Sequence, residues 1–198
     1  MITAAAAATG AIVAILGLRT WKAQLRGHTE YDLARRLLRS VFKVRDEIAG
    51  VRNPFMSAGE IQAAFDAAGV KPQPELGFDK RSNQLVYEKR WSDLADALST
   101  MQVELLEAQV IWGDRAKAIE RDLRMCVAEL NAAVSLHLRL ERNDGLASRM
   151  TADKVSGAEA ILWQVSDDPA QDAFTAKVSA AVAQFEALCR PALRVRGE

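Results

Sequence analysis

Apolar side chains recur at alternating spacings of four and three residues through the middle of the chain. The members of this row are Tyr87, Trp91, Leu94, Leu98, Met101, Leu105, Ala108 and Trp112. A four-three repeat places all its members on one face of an α-helix, the face by which helices pack together in bundles. A second row, from Ile119 to Leu140, repeats the pattern. The sequence therefore predicts an all-α fold, with a helix-packing seam at Trp91, Leu94, Leu98, Met101, Leu105 and Trp112.

The composition favours the same fold class. Hydrophobic residues make up 49% of the 198 residues but aromatic residues only 6%, and the difference is largely alanine, a strong helix former. A chain of this length suits one domain, or one domain with an appendage. The 26 basic residues balance the 26 acidic ones, which argues against a nucleic-acid partner.

Turn signals between the helical patterns suggest an antiparallel bundle of three to four long helices. The first helix is predicted over 20–49, because Asn53-Pro54 disfavours helix beyond it. Gly113 separates the two seam rows, and spacing alone allows one continuous rod there. Two helices of equal length would match the others in the chain, so a hairpin at Gly113 is favoured.

Shorter sequence motifs predict where individual helices begin, break and end. Ser57 followed by Glu60 predicts a capping box that opens a short helix. Ser156-Gly157 predicts a break in the irregular stretch after the second seam row. The last helix is predicted over 171–189, with Pro191 marking its end.

The beginning of the chain is uncharged from Ile2 to Leu18. As a helix this segment spans about 25 Å, slightly less than a bilayer hydrocarbon core. No basic residue precedes it, which disfavours a cleaved signal peptide. A buried soluble helix would need partners on every side. We therefore predict a transmembrane anchor over 1–21, continuous with a helical bundle over 22–198.

Basic residues follow the uncharged segment closely, with nine Lys and Arg against four Asp and Glu between 19 and 52. The residues predicted to lie at the membrane interface are Arg19, Trp21, Lys22 and Arg26, where cations reach lipid head groups and tryptophan sits at the boundary. The positive-inside rule then places the N-terminus outside and the bundle on the cytoplasmic side of an inner membrane, with membrane lipids as partners.

Residues with catalytic or metal-binding chemistry are sparse. Cys126 and Cys189 lie far apart. His137 is interpreted as a core or boundary histidine without an acidic or cysteine partner at ligand spacing, and His28 as a juxtamembrane surface residue. Neither a glycine-rich phosphate loop nor a nucleophile elbow is present. The sequence therefore predicts a non-enzymatic protein with no catalytic residue, no metal site and no cofactor.

Four short motifs carry a resemblance to other proteins. They are Tyr31-Asp32-Leu33, Val51-Arg52-Asn53-Pro54-Phe55, Ile111-Trp112-Gly113 and Leu188-Cys189-Arg190-Pro191. Together with the predicted membrane helix, they resemble a group of uncharacterised bacterial membrane-anchored helical proteins. The resemblance spans most of the chain and implies a bacterial inner-membrane location and a break at Gly113. It implies no activity and no functional residue.

Two functions fit these features. The first is a membrane-anchored scaffold or accessory subunit that presents its bundle to a protein partner or to a second copy of itself. The alternative is a membrane-tethered sensor or stress effector, whose bundle binds a ligand or changes its oligomeric state. A ligand cavity lined around Trp91, Trp112, His137 and Trp163 would support this alternative.

Overall fold

The computed structural model describes residues 2–71, 80–143, 150–166 and 168–194, and within the first helix the side chains of 17–19, 21, 22 and 24 onwards. Every regular element in these ranges is an α-helix, which confirms the predicted all-α fold. The helices are α1 (Ile2–Arg52), α2 (Ala58–Ala67), α3 (Lys80–Trp112), α4 (Asp114–Arg142), α5 (Ala152–Leu162) and α6 (Ala173–Arg194).

Four long helices form an antiparallel bundle in which α1 and α4 each pack against both α3 and α6. The contacts that fix these directions are Arg36–Glu104 between α1 and α3, Arg90–Asn53 between α3 and the residue after α1, Asn83–Glu141 and Arg124–Gln102 between α3 and α4, and Lys177–Glu129 and Gln184–Asp122 between α4 and α6. The short helix α2 packs on α3, and α5 packs mainly on α4. The predicted helical bundle is thus confirmed.

Each long helix contributes one apolar face to a single core, as the periodicity of the sequence predicts. The fully buried members from α1 and α6 include Leu33, Leu37, Val41, Val44, Ile48, Phe174, Val178, Ala181, Phe185 and Cys189. Burial raises the pKa of the Cys189 thiol to about 12. This cysteine is therefore a small apolar core residue.

The helix α1 is longer than the bundle. It has 51 residues and is therefore about 77 Å long, and the first fully buried side chain among those described is Leu33. The N-terminal part of α1 leaves the bundle where the Gly113 turn and the C-terminal end of α6 also lie. We call this region, formed by residues 17–35, 110–118 and 189–194, the proximal end.

The predicted division into an anchor and a bundle lies inside α1, whose helix runs without interruption through residues 21 and 22. Over the described residues, no helix has a stretch long and apolar enough to cross a membrane. The transmembrane part of the prediction is therefore not confirmed. The side chains of 2–16, on which it depends, lie outside the described residues.

Two local predictions are confirmed. Gly113 separates α3 from α4 and adopts φ of 70°, a left-handed conformation that glycine reaches without strain from a Cβ atom. The hairpin at Gly113 is therefore real. At the start of α2, the Ser57 hydroxyl accepts a hydrogen bond of 3.2 Å from the Glu60 backbone N–H, which confirms Ser57 as the capping residue. The Glu60 side chain, which would complete a capping box, instead accepts from Arg90.

Two other local predictions are wrong. The helix α6 continues through Pro191 to Arg194, because Ala192 is buried against the core and its packing offsets the hydrogen bond that proline removes. Ser156-Gly157 lies inside α5 and does not break it. An isolated glycine costs a helix only about 1 kcal/mol, which tertiary packing readily exceeds.

Candidate functional site

The four residues predicted to lie at a membrane interface are on the part of α1 that extends beyond the bundle. Arg19, Trp21, Lys22 and Arg26 are all exposed. Because each residue of a helix turns by about 100°, Trp21 shares one face with Leu18 and Leu25, while the three basic residues share another. Leu18, Trp21 and Leu25 are each more than half exposed. This segment is therefore an amphipathic helix whose apolar face lacks cover from the bundle.

The predicted seam residues of α3 lie in or beside the core. Leu94, Met101 and Leu105 are fully buried, whereas Trp91, Leu98 and Trp112 are partly buried and pack against the core. A four-three repeat in α3 thus coincides with its bundle-facing side. The three buried positions hold the bundle together, whereas Trp91, Leu98 and Trp112 keep part of their surface exposed.

The opposite side of α3 carries an exposed apolar row that the sequence analysis did not single out. Val103, Leu106 and Val110 are 64%, 54% and 87% exposed. Their spacing of three and four residues aligns them on one helix face, and Val110 lies three residues before Gly113 at the proximal end. We call these three residues the α3 row. The signal was present in the sequence but was masked by the stronger row on the other face.

A buried arginine joins three helices at the end of the bundle remote from the Gly113 turn. The Arg52 guanidinium donates to the backbone carbonyls of Ile161 (2.6 Å) and Trp163 (3.2 Å), the last carbonyls of α5 and its cap. These groups lack donors within their own helix. The same guanidinium donates 2.8 Å to the Asp172 carboxylate, whose other oxygen caps α6 by accepting from the Thr175 N–H.

Burial alone raises the pKa of the Asp172 carboxyl. The hydrogen bonds from the Thr175 N–H and from Arg52 outweigh that effect, and the pKa lies below its ordinary value of 3.8. Asp172 is therefore an anion at neutral pH and balances the buried charge of Arg52. The Arg52–Asp172 pair has a structural role, since its polar groups are occupied by backbone and side-chain partners.

A second buried arginine fastens the segment between α1 and α2. Arg90 donates to both carboxylate oxygens of Glu60, at 2.6 and 3.0 Å. It also donates to the backbone carbonyls of Asn53 (2.6 Å) and Phe55 (2.9 Å). Two-pronged pairing of this kind exploits the planar guanidinium fork. Arg90 thus holds α2 and the Asn53-Pro54 corner against α3.

The four aromatic residues proposed to line a ligand cavity do not share one site, although His137 and Trp163 are in contact. Trp91 and Trp112 are separated by 21 residues of α3, which is about 32 Å along the helix. His137 contacts Trp163 and Tyr87, with ring centroids 5.2 and 5.8 Å apart. Trp91 instead lines a groove of about 500 Å³ between α3 and α4. The expected common cavity is therefore not formed.

A small polar cluster surrounds His137, so the prediction that this histidine has no acidic partner is wrong. Its Nε2 lies 3.4 Å from the Glu141 carboxylate, which accepts a hydrogen bond of 2.9 Å from Asn83. Burial raises the pKa of the nearby Tyr87 hydroxyl to about 12, and that hydroxyl has no hydrogen-bond partner among the described residues. A tyrosine of such high pKa stays protonated at neutral pH, so it cannot act there as a base.

No grouping of three or more His, Cys, Asp or Glu side chains suited to a metal ion occurs in the part of the chain that the structure describes. Comparisons with protein-family models, with curated proteins and with solved structures found no match for the chain. The resemblance to bacterial membrane-anchored proteins therefore stays a prediction.

Proposed function

We propose that the protein is a membrane-anchored, non-enzymatic scaffold or accessory subunit. It presents its bundle to a helix of a protein partner at the cytoplasmic face of the inner membrane. The observation that carries this proposal is the α3 row, in which Val103, Leu106 and Val110 stand exposed on one helix face. Single exposed apolar residues are common, but three at helical spacing match the way amphipathic helices dock on each other.

The position of the α3 row favours a partner that is itself at the membrane. The row ends beside Gly113 at the proximal end, where α1 leaves the bundle towards its uncharged segment. An amphipathic helix lying along the row would bury these three side chains, each of which contributes on the order of 1.5–3 kcal/mol when fully covered. A shared membrane keeps both partners close and so lowers the cost of bringing them together.

The path of α1 supports the anchoring part of the proposal. The helix runs unbroken from the uncharged segment into the core, so the bundle is attached through a rigid rod. The amphipathic stretch around Trp21 has its apolar side exposed, as expected for a helix that enters a lipid interface. The rod would hold the α3 row at a fixed height above the membrane.

The test is native mass spectrometry of the full-length protein extracted from membranes in mild detergent. The variant changes the α3 row by Val103→Ser, Leu106→Ser and Val110→Ser. The matched control changes Met125→Ser and Val165→Ser, which are exposed apolar residues on α4 and in the α5–α6 connection. A stoichiometric partner that survives in wild type and control but is lost from the α3-row variant supports the proposal.

Other outcomes of this experiment would count against the proposed function. A partner retained equally by all three proteins would remove the α3 row as its docking surface. A lone monomer or a homo-oligomer in every sample would overturn the accessory role. It would also favour the alternative, a membrane-tethered sensor or stress effector. That alternative has less structural support, because the aromatic residues expected to line its cavity are spread along the bundle.

A further inference from the structure

The fold gathers basic side chains from distant parts of the sequence at the proximal end. Residues 17–35, 110–118 and 189–194 contain eight Lys and Arg against three Asp and Glu. The other residues that the structure describes contain 16 Lys and Arg against 18 Asp and Glu. The basic excess of the described residues is therefore concentrated at the proximal end, which adjoins the uncharged segment of α1.

Half of these basic residues come from helices other than α1. Arg115 and Lys117 begin α4 beside the Gly113 turn, and Arg190 and Arg194 end α6. All four are exposed. Their sequence positions gave no reason to group them with Arg19, because only the antiparallel packing of α4 and α6 brings the N-terminus of one beside the C-terminus of the other.

The contacts between α1 and α3 show which residues of α1 lie level with this basic group. Arg36 lies opposite Glu104, so the Gly113 turn is level with about residue 28 of α1. At a rise of about 1.5 Å per residue, that level is about 15 Å beyond Leu18. The polar layer of a bilayer leaflet is about 5–8 Å thick, and Lys and Arg side chains extend several Å further. The charges therefore fall within about one Debye length of the head groups.

We propose that the proximal end of the bundle is itself a contact surface for anionic lipid head groups, formed by Arg115, Lys117, Arg190 and Arg194. The inference rests on the proposed membrane anchor and adds a second contact to it. Attraction between these cations and an anionic leaflet draws the bundle down onto the membrane. This contact fixes the tilt of the bundle, and with it the distance of the α3 row from the membrane surface.

Energy transfer to a labelled lipid measures this approach. The full-length protein is reconstituted in vesicles that contain an acceptor dye on head groups. A donor dye is placed by Ala118→Cys near the proximal end, or by Ala132→Cys as the reference site. Both positions are exposed on α4 and lie about 21 Å apart along it. The native Cys126 and Cys189 are buried, which makes labelling selective.

The expected result is more transfer from the donor at Ala118 in vesicles with anionic phosphatidylserine than in purely zwitterionic ones, with the increase lost in high salt. The variant Arg115→Gln, Lys117→Gln, Arg190→Gln and Arg194→Gln should lose this dependence. The control removes four exposed cations elsewhere, by Lys71→Gln, Arg81→Gln, Arg139→Gln and Lys154→Gln, and should keep it. The donor at Ala132 should change less in every case.

The same experiment separates the two levels of the proposal. A protein that floats with the vesicles but shows the same transfer in both lipids overturns the head-group contact and leaves the anchor standing. A dependence on anionic lipid that persists in the proximal-end variant would also overturn the contact. A protein that fails to float with either kind of vesicle overturns the anchor and this inference together.

Discussion

The Arg52 guanidinium and the Asp172 carboxylate form a hydrogen-bonded ion pair of 2.8 Å between residues 120 positions apart in the sequence, with side chains only 2% and 3% exposed. Arg52 ends α1 and Asp172 caps α6, so the pair ties the helix that leaves the bundle to the helix that closes it. The carbonyls of α5 complete the coordination of the guanidinium. At the end of the bundle remote from the Gly113 turn, one arginine thus connects three helices.

Replacing Arg52 with leucine should destabilise the protein by about 3–5 kcal/mol, because it leaves Asp172 as an unpaired buried anion and the last carbonyls of α5 without donors. Chemical denaturation of the full-length protein in mild detergent measures the change. The control is Arg45→Leu, which removes an exposed arginine paired with its neighbour Asp46 and should cost less than about 1 kcal/mol. Equal losses in both variants would contradict the role of Arg52.

Acid should weaken the ion pair between Arg52 and Asp172. Because the folded pKa of Asp172 lies below 3.8, the carboxylate stabilises the fold above its unfolded pKa, and this contribution is lost as pH falls through the folded value. Unfolding free energies measured downwards from pH 5 should therefore decline below about pH 4. The variant Asp172→Asn should be less stable at neutral pH but show a shallower decline. A decline of equal steepness in both proteins would exclude Asp172 as its source.

Loss of Arg90 should act locally. The variant Arg90→Met should release α2 and the Asn53-Pro54 corner from α3, because four hydrogen bonds from one guanidinium are removed. Hydrogen exchange should show faster exchange in residues 58–68 with little change in α6. Lys89→Met, which removes a partly exposed partner of Asp93 on the same helix, is the control. Faster exchange throughout the bundle would show that Arg90 supports more than this segment.

Two glycines should respond to alanine in opposite directions. Gly113 has φ of 70°, so Gly113→Ala should destabilise by roughly 1–2 kcal/mol through backbone strain. Gly157 lies within α5, and a Cβ there would meet no atom within 4 Å. Gly157→Ala should therefore stabilise by about 0.5–1 kcal/mol. Thermal unfolding of the two variants compares them directly, and changes of the same sign would contradict this account.

The sequence predicted those features of the fold that depend on local pattern. The seam rows placed α3 and α4, Gly113 marked the hairpin, and Ser57 marked the start of α2. The predictions at Pro191 and at Ser156-Gly157 were wrong, because a local preference of about 1–3 kcal/mol is smaller than the packing that overrides it.

The hydrogen-bond networks of Arg52 and Arg90 could not be predicted from the sequence, for a different reason. Arg52 meets its partners at 108 or more positions along the chain, and Arg90 reaches back 30 or more. A single sequence contains no signal for such pairs. The grouping of Arg115 and Arg194 at the proximal end likewise exists only once α4 and α6 lie side by side.

Alkaline carbonate extraction of membranes from cells that produce the full-length protein would show whether α1 anchors the bundle in a membrane, as we propose. We expect the protein to stay in the membrane pellet and to be released by detergent. The variant Ile12→Lys with Ile15→Lys, which places two charges in the uncharged segment, should move to the supernatant because each charge in a bilayer core costs about 2.5–3.5 kcal/mol. Release of the unmodified protein by carbonate alone would contradict the anchor.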